Sequence, residues 1–237
     1  MQNITRHIPN LLTIGNLLSG VYGIILVMQG DITAGTVLIW IGAIFDFADG
    51  FAARVLKAYS EIGRELDSLA DMVTFGILPA LVIYSLLRQH LPEAYGSVAF
   101  AALFIPAFSA LRLAKFNIDP DQKENFRGLP TPANAFLLSG IPFYAASPIY
   151  QGAILSVVIL VIVVSGCILM VSNITFPSLK FRTLVLSENS ARYLIIISAL
   201  IVLVMFRLKG ITPAMILYIL ISLVSNILPA RKSGQPE

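Results

Sequence analysis

Long apolar runs alternate with short polar segments along almost the whole chain, and this pattern predicts a series of membrane-spanning helices. Most runs approach the roughly 20 residues that an α-helix needs to cross a bilayer. The predicted spans cover residues 9–29, 32–56, 65–88, 95–117, 132–149, 152–171, 191–207 and 211–229. We therefore expect an all-α fold, a polytopic integral membrane bundle of about eight transmembrane helices, with a short polar tail over residues 230–237.

Composition agrees with this pattern and excludes a soluble domain. Of the 237 residues, 57% are hydrophobic and only 12% are charged, as in polytopic membrane proteins. The first apolar run lacks a small-residue cleavage site, so we interpret it as a retained helix and not as a signal peptide. We expect one transmembrane domain over residues 1–237.

The basic residues are distributed unevenly between the two sides of the predicted bundle. With eight spans, thirteen of the sixteen Lys and Arg residues lie on the side of both termini, and only Arg88, Arg207 and Lys209 lie on the other. The positive-inside rule then predicts that both termini and the loop near residue 58 are cytoplasmic. Nothing in this distribution indicates nucleic acid as a partner, whereas a basic rim suits anionic lipid or phosphate.

Four aspartates lie within or beside the second and third apolar runs: Asp46, Asp49, Asp67 and Asp71. A carboxylate at membrane depth is costly and indicates a functional site. Residues three or four positions apart share one face of a helix. In an antiparallel hairpin that turns near Ala58, Asp46 would lie level with Asp71, and Asp49 with Asp67. We therefore expect all four carboxylates to face one another across one groove.

Four converging carboxylates would repel one another strongly, and hard divalent cations with oxygen ligands relieve such repulsion. The residues thus predict a site for Mg²⁺ or Mn²⁺, with enough ligands for two ions. At ~1.5 Å per residue, Asp46 lies roughly 20 Å from the start of its span, near the cytoplasmic edge of a ~30 Å core. Two alternatives are salt bridges to Arg54, Lys57 and Arg64, or the ion path of a cation transporter. The off-centre position and the absence of a clear repeat argue against a transporter.

Small and polar residues accompany the aspartates. Gly50, Ala53 and Gly63 leave room for a ligand to approach the backbone, and they equally suit close helix packing. In the first span, Asn10, Thr13 and Asn16 form a polar stripe. This stripe either faces the aspartate groove or only bonds to neighbouring helices.

The spacing of these residues resembles the signature of the CDP-alcohol phosphotransferases. The pattern begins Asp46-x-x-Asp49-Gly50-x-x-Ala53-Arg54 and continues, after eight intervening residues, as Gly63-x-x-x-Asp67-x-x-x-Asp71. Further stretches resemble the phosphatidylserine synthase branch: IPNLLTIGNLLSG at 8–20, RLAKFN at 112–117, FRGLPTPANA at 126–135 and VSNITFPSLK at 171–180. The resemblance covers most of the chain, and its branch-specific loops are 118–131 and 172–190.

The resemblance implies an enzyme of phospholipid biosynthesis. It would transfer the phosphatidyl group of CDP-diacylglycerol, or of an archaeal ether analogue, to L-serine and release CMP. Carried over by position, the four aspartates would hold Mg²⁺ or Mn²⁺, and Asp71 would also act as the base. The residues implied at the nucleotide are Pro9, Asn10, Thr13, Gly50, Ala53, Arg54, Ser60 and Gly63.

The acceptor side of the expected site depends on the two branch-specific loops. Arg127, Lys180 and Arg182 are candidates to bind the serine carboxylate, because they lie in those loops. Sibling enzymes that use glycerol phosphate or inositol phosphate are the nearest alternatives, and such acceptors should require a denser basic pocket. The family also implies a homodimer, and the lack of targeting signals suits a prokaryotic plasma membrane.

Overall fold

The computed structural model describes residues 7–118, 126–146, 152–176 and 190–227. The first two long helices, α1 (Ile8–Met28) and α2 (Ile32–Val55), form a closely packed hairpin. Asp31 caps α2 by accepting a hydrogen bond from the backbone N–H of Ala34 at 2.9 Å. Glycine permits the close approach, because a Cβ atom on Gly35 would lie 2.8 Å from the carbonyl oxygen of Gly23.

The third span is one continuous helical segment of three parts. Ser60 is the N-cap of helix α3 (Glu61–Asp71), and its hydroxyl accepts a hydrogen bond from the N–H of Gly63 at 3.0 Å. A π-helical turn, Met72–Ile77, follows directly and leads into α4 (Leu78–His90). Pro79 accounts for the irregular turn, because proline cannot donate a backbone hydrogen bond and its ring crowds the preceding turn.

Helix α4 forms the centre of the bundle. Its residues Leu78, Val82, Ile83 and Leu87 are fully buried, and it contacts α1, α2 and several of the later helices. The aspartates of α3 precede the π-helical turn and so lie directly before this packed part of the third span.

The remaining helices complete the bundle. A 3₁₀ helix, Glu93–Leu103, leads into α5 (Phe104–Ile118). Two short helices, α6 (Thr131–Ser139) and α7 (Ile141–Ala145), are followed by α8 (Ala153–Val171). Helices α9 (Ser190–Phe206) and α10 (Ile211–Ile227) are joined by the 3₁₀ turn Arg207–Gly210 and pack against each other.

A two-stranded antiparallel ladder connects the two segments that carry the branch-specific sequences. Strand β1 (Phe126–Arg127) pairs with β2 (Thr175–Phe176), with Arg127 opposite Thr175. Gly128 follows with a φ of +79°, and its N–H donates to the carbonyl of Ile174 at 2.8 Å. Leu129 N–H donates to the carbonyl of Leu169 at 2.9 Å. This ladder fixes Arg127 beside the end of α8.

The structure confirms a mainly helical, multi-pass membrane architecture, apart from the short ladder. Within the described ranges, six helical segments are long and apolar enough to cross a membrane. The last, Arg192–Asn226, covers most of both α9 and α10. The predicted span over 132–149 contains α6 and α7, of only 9 and 5 residues, divided at Gly140. The predicted count of eight and the orientation of the termini stay predictions.

Candidate active site

Three carboxylates converge where α2 faces α3. Asp46 and Asp49 lie one turn apart on α2, and Asp67 lies on α3. One oxygen atom of each side chain lies within 4.8 Å of the corresponding oxygen atoms of the other two. Helix α1 packs against both α2 and α3, so residues far apart in the sequence share one site.

The residues of this cluster fit a hard divalent cation. All the donors are carboxylate oxygens, which Mg²⁺ and Mn²⁺ prefer. Oδ1 of Asp67 is buried and, among the described residues, has no hydrogen-bond partner. A buried carboxylate oxygen without a partner is costly, and a bound cation would remove that cost.

Asp71 lies one turn beyond Asp67, next to the cluster but outside its 4.8 Å group. It is buried and interacts electrostatically with Asp46, Asp49 and Asp67. The structure thus groups three carboxylates, whereas the hairpin arithmetic predicted four at matched levels. The physical reason is the hydrogen bond that Asp71 Oδ1 accepts from Asn16 Nδ2 of α1 at 3.1 Å.

Helix α1 supplies polar partners to both acidic helices. The hydroxyl of Thr13 donates to Oδ2 of Asp49 at 2.6 Å, and Asn16 bonds Asp71. The hydroxyl of Thr74, in the π-helical turn, donates to the backbone carbonyl of Asn16 at 2.9 Å. A Cβ atom on Gly42 would lie 2.9 Å from Asn16 Oδ1 and closer still to the side chain of Thr74, so glycine leaves the space that these two side chains occupy. The polar stripe of the first span therefore faces the aspartates.

A cavity of about 540 Å³ opens beside the cluster, between α1, α2 and the start of α3. Asp49 and Asp67 belong both to this cavity, which we call the donor cavity, and to the carboxylate cluster. Tyr59, Glu61 and Arg64 form part of its rim. Seven of the eight residues expected at the nucleotide line it: Pro9, Asn10, Thr13, Gly50, Ala53, Ser60 and Gly63.

Arg54, the eighth expected residue, does not line the donor cavity. Its side chain is exposed, and Nη2 lies 4.0 Å from the position that a Cβ atom on Gly50 would occupy. Arg54 thus lies at the edge of the cavity. Gly63 is more tightly enclosed, because a Cβ atom there would lie 2.9 Å from Ser60 Oγ and 3.0 Å from Asn10 Oδ1.

A second cavity of about 300 Å³, which we call the basic cavity, lies at the C-terminal ends of α5 and α8. These ends are on the side of the bundle that the distribution of basic residues predicts to be cytoplasmic. Arg127 lines it together with Arg112 and Lys115. Arg112 is buried, donates from Nε to the carbonyl of Leu129 at 3.2 Å, and interacts electrostatically with Asp71. Lys180 and Arg182, the other two expected acceptor residues, lie outside the described residues.

Two residues of this region were absent from the expected site. Asn16 belonged to the polar stripe, but the sequence does not show that it bonds Asp71, because this contact depends on how α1 crosses α3. Arg112 opens the segment RLAKFN at the end of an apolar run. A cationic residue inside the end of an apolar run indicates a buried, functional side chain. The sequence alone does not identify Asp71 as the charge beside it.

Comparison with known proteins agrees with the geometry. The family model described as CDP-alcohol phosphatidyltransferase matches residues 6–179. The CDP-diacylglycerol–serine O-phosphatidyltransferase of Bacillus subtilis (strain 168) is 37% identical over 178 residues, covering 74% of this chain and 92% of that protein. The archaetidylserine synthase of Methanothermobacter thermautotrophicus is 33% identical, covering 72% and 69% respectively. A CDP-diacylglycerol–serine O-phosphatidyltransferase of Helicobacter pylori (strain 26695) is 32% identical, covering 73% and 72%. Because the family match spans well over half of its length, this chain belongs to the CDP-alcohol phosphatidyltransferase family.

Proposed function

We propose that this protein transfers the phosphatidyl group of CDP-diacylglycerol, or of an ether analogue, to L-serine and releases CMP. The names of its relatives support serine as the acceptor. The observation that carries the proposal is that the donor cavity and the carboxylate cluster share two residues. Asp49 and Asp67 line the donor cavity and also belong to the carboxylate cluster.

The donor cavity suits the cytidine diphosphate part of the donor. Its small residues Gly50, Ala53 and Gly63 bring the backbone close to the cavity, so a flat base and its ribose can lie against the helices. Asn10 offers amide hydrogen bonds on the α1 side. Arg54, at the edge, is placed to contact a phosphate of the pyrophosphate.

The four aspartates would hold Mg²⁺ or Mn²⁺, with two ions as the proposed number. When bound, these ions supply charge stabilisation at the oxygens of the pyrophosphate. The hydrogen bond from Thr13 orients Asp49, and the hydrogen bond from Asn16 orients Asp71. Groups held by such partners keep the geometry that ligand binding needs.

Asp71 is the proposed base. Its carboxylate accepts the proton of the serine hydroxyl while that oxygen forms a bond to the lipid-linked phosphorus. The bond from this phosphorus to the oxygen that bridges to CMP breaks, and CMP leaves with the electron pair. Burial of Asp71 excludes bulk water, which would otherwise compete with serine as the nucleophile.

The basic cavity is the proposed acceptor site. Arg127, which lines this cavity, would bind the serine carboxylate, and Lys180 and Arg182 stay candidates for the same role. Arg112 lines this cavity and also interacts electrostatically with Asp71, so the cavity lies near the proposed base. The three cations around the cavity, Arg112, Lys115 and Arg127, also favour a second candidate. A sibling reaction on glycerol phosphate or inositol phosphate would use the same cations for the acceptor phosphate.

An acceptor screen tests the proposal and separates the candidates. Purified protein with CDP-diacylglycerol labelled in the lipid would be incubated with L-serine, glycerol phosphate or inositol phosphate. We expect labelled phosphatidylserine and equimolar CMP with serine alone. A labelled product only with a phosphorylated acceptor would assign the sibling reaction. Absence of CMP release with every acceptor would reject phosphatidyl transfer.

We also propose that the active site faces the cytoplasm from the plasma membrane and that the protein is a homodimer. The uneven distribution of basic residues supports the orientation, and water-soluble serine and CMP require access from the cytoplasm. Thiol labelling of a Lys57→Cys variant in intact cells and in inverted vesicles tests the orientation. Sedimentation of the detergent-solubilised protein tests the dimer.

A further inference from the structure

An apolar groove of about 420 Å³ lies between α7, the first half of α8 and the start of α10. Its floor includes Ile159, which is 0% exposed, whereas Val158 on its wall is 47% exposed. The groove therefore opens towards the surface of the bundle. Its lining residues are mainly aliphatic: Ile141, Leu155, Val158, Ile159, Ile162 and Ile216.

This groove lies at the end of the bundle opposite the proposed active site. Helix α8 has 19 residues; it begins beside the groove at Ala153 and ends at Val171 in the basic cavity. At ~1.5 Å per residue, the two ends of α8 are roughly 28 Å apart. The groove therefore cannot hold the reacting end of the donor lipid.

The groove is a built feature of the fold, because its two walls are held in position at one close contact. A Cβ atom on Gly140, between α6 and α7, would lie 2.6 Å from the backbone nitrogen of Thr212. The hydroxyl of Thr212 donates to the carbonyl of Leu137 at 2.8 Å. This contact fixes the start of α10 against the break between α6 and α7, and the space beyond it stays open.

Positive charge lies at one end of the groove. Lys209, on the 3₁₀ turn that precedes α10, has its Nζ atom 6.0 Å from the ring centroid of Tyr144. Tyr144 also lines the groove. Among the described residues Lys209 is in no ion pair, and Arg207 on the same turn is exposed. The apolar groove thus ends near Lys209, and Arg207 precedes Lys209 by two residues on the same turn.

We propose that this groove binds one acyl chain of an anionic phospholipid, whose headgroup lies against Lys209 and Arg207. The open side of the groove faces the hydrocarbon that surrounds a multi-pass bundle, so a lipid chain is the molecule that reaches it. Most of the lining is aliphatic and offers no hydrogen-bond partner to a polar ligand. The two cations favour a headgroup of net negative charge over a zwitterionic one.

Thermal unfolding of the purified full chain in detergent tests this proposal, with phosphatidylglycerol or phosphatidylcholine of identical acyl chains added. A ligand that binds the folded state raises the melting temperature. We expect phosphatidylglycerol to raise it by roughly 2–4 °C more than phosphatidylcholine does. In Val158→Trp and Ile216→Trp, the indole fills the groove from either wall and should abolish this difference.

Val164→Trp is the matched control, because Val164 is 48% exposed on the same helix and lies outside the groove. This variant should keep the difference between the two lipids. Lys209→Gln should lose the preference for phosphatidylglycerol and keep the response to phosphatidylcholine. CMP release by every variant, measured in parallel, shows that each one is folded and tests the proposed function independently.

Three results would overturn the proposal. Equal stabilisation of the unmodified chain by both lipids would reject the anionic headgroup. A lipid difference that persists in both Val158→Trp and Ile216→Trp would reject the groove as the binding site. If these two variants instead convert a dimer to a monomer in sedimentation without lipid, a second copy of the chain covers the groove, and lipid binding there is excluded.

Discussion

The side-chain amide of Asn16 donates a hydrogen bond to Oδ1 of Asp71 across 3.1 Å and so joins the first helix to the proposed base. Both residues are buried. The contact between Thr74 and the backbone of Asn16 holds α1 at the π-helical turn. The orientation of the proposed base therefore depends on a helix that the aspartate motif does not include.

Replacement of Asn16 tests this dependence. Asn16→Ala removes the donor to Asp71 and should lower kcat for CMP release roughly tenfold to a hundredfold, as loss of an orienting partner commonly does. The KM for the donor should change little, because Asn16 does not line the donor cavity. Ser19→Ala is the control, since the Ser19 hydroxyl bonds only its own helix, at Gly15, among the described residues. Equal kcat values for the two variants would remove Asn16 from the mechanism.

Asp71→Asn tests the base itself. The amide keeps the size of the side chain but cannot accept the serine proton, so the rate of CMP release should fall by roughly 10²–10⁴-fold. Binding of CDP, measured by equilibrium dialysis, should persist because Asp71 does not line the donor cavity. Retained turnover in a folded Asp71→Asn protein would reject Asp71 as the base.

Metal removal tests the carboxylate cluster. EDTA should abolish CMP release, and added Mg²⁺ or Mn²⁺ should restore it, because Asp46, Asp49 and Asp67 converge with oxygen ligands alone. Asp67→Asn should raise the metal concentration required for half-maximal activity. Direct titration of Mn²⁺, followed by electron paramagnetic resonance, measures binding without turnover. Full activity of the metal-depleted protein would contradict the cluster as a cation site.

Gly50→Ala separates ligand binding from protein packing. An added Cβ atom at Gly50 meets only Arg54 Nη2, at 4.0 Å. Alanine also has the higher helix propensity, so the melting temperature should be unchanged or slightly raised. If the donor lies against this glycine, its KM should nevertheless rise roughly tenfold. Gly63→Ala is the contrasting variant, because its Cβ atom would crowd Ser60 and Asn10. An unchanged donor KM in Gly50→Ala would exclude close approach of the nucleotide there.

Arg127→Ala tests the acceptor site. Loss of a charged partner of the serine carboxylate should raise the KM for serine by about tenfold or more, corresponding to ~1.5 kcal/mol or more. The KM for CDP-diacylglycerol should stay nearly constant, because Arg127 lies in the basic cavity and not in the donor cavity. Lys57→Ala is the control for general loss of positive charge, since Lys57 is exposed and lines neither cavity. A parallel rise of both KM values would argue against a specific contact with serine.

Much of the fold followed from apolar periodicity, because a helix must satisfy its own backbone hydrogen bonds inside a bilayer. The boundaries of α1 and α2 agree closely with the first two predicted spans. Prediction of the fifth span was less successful. Residues 132–149 are apolar enough to resemble a span, but the helix is interrupted at Gly140, two residues before Pro142, which has no backbone N–H to continue it. At this break a Cβ atom on Gly140 would lie 2.6 Å from the backbone nitrogen of Thr212, a residue about seventy positions away, and local patterns do not reveal that close approach.

The sequence by itself determined the chemistry that this protein can perform. Carboxylates at helical spacing, glycines between them and a turn at residues 56–60 are local properties, and they are enough to predict that α2 and α3 present acid to each other. Tertiary packing alone decided how the acids are divided. The crossing of α1 places Thr13 on Asp49 and Asn16 on Asp71, while the carboxylates of Asp46, Asp49 and Asp67 converge and Asp71, the proposed base, lies outside their 4.8 Å group. Hydrogen bonds between separate helices depend on their relative position in space, and no periodicity within one helix contains that information.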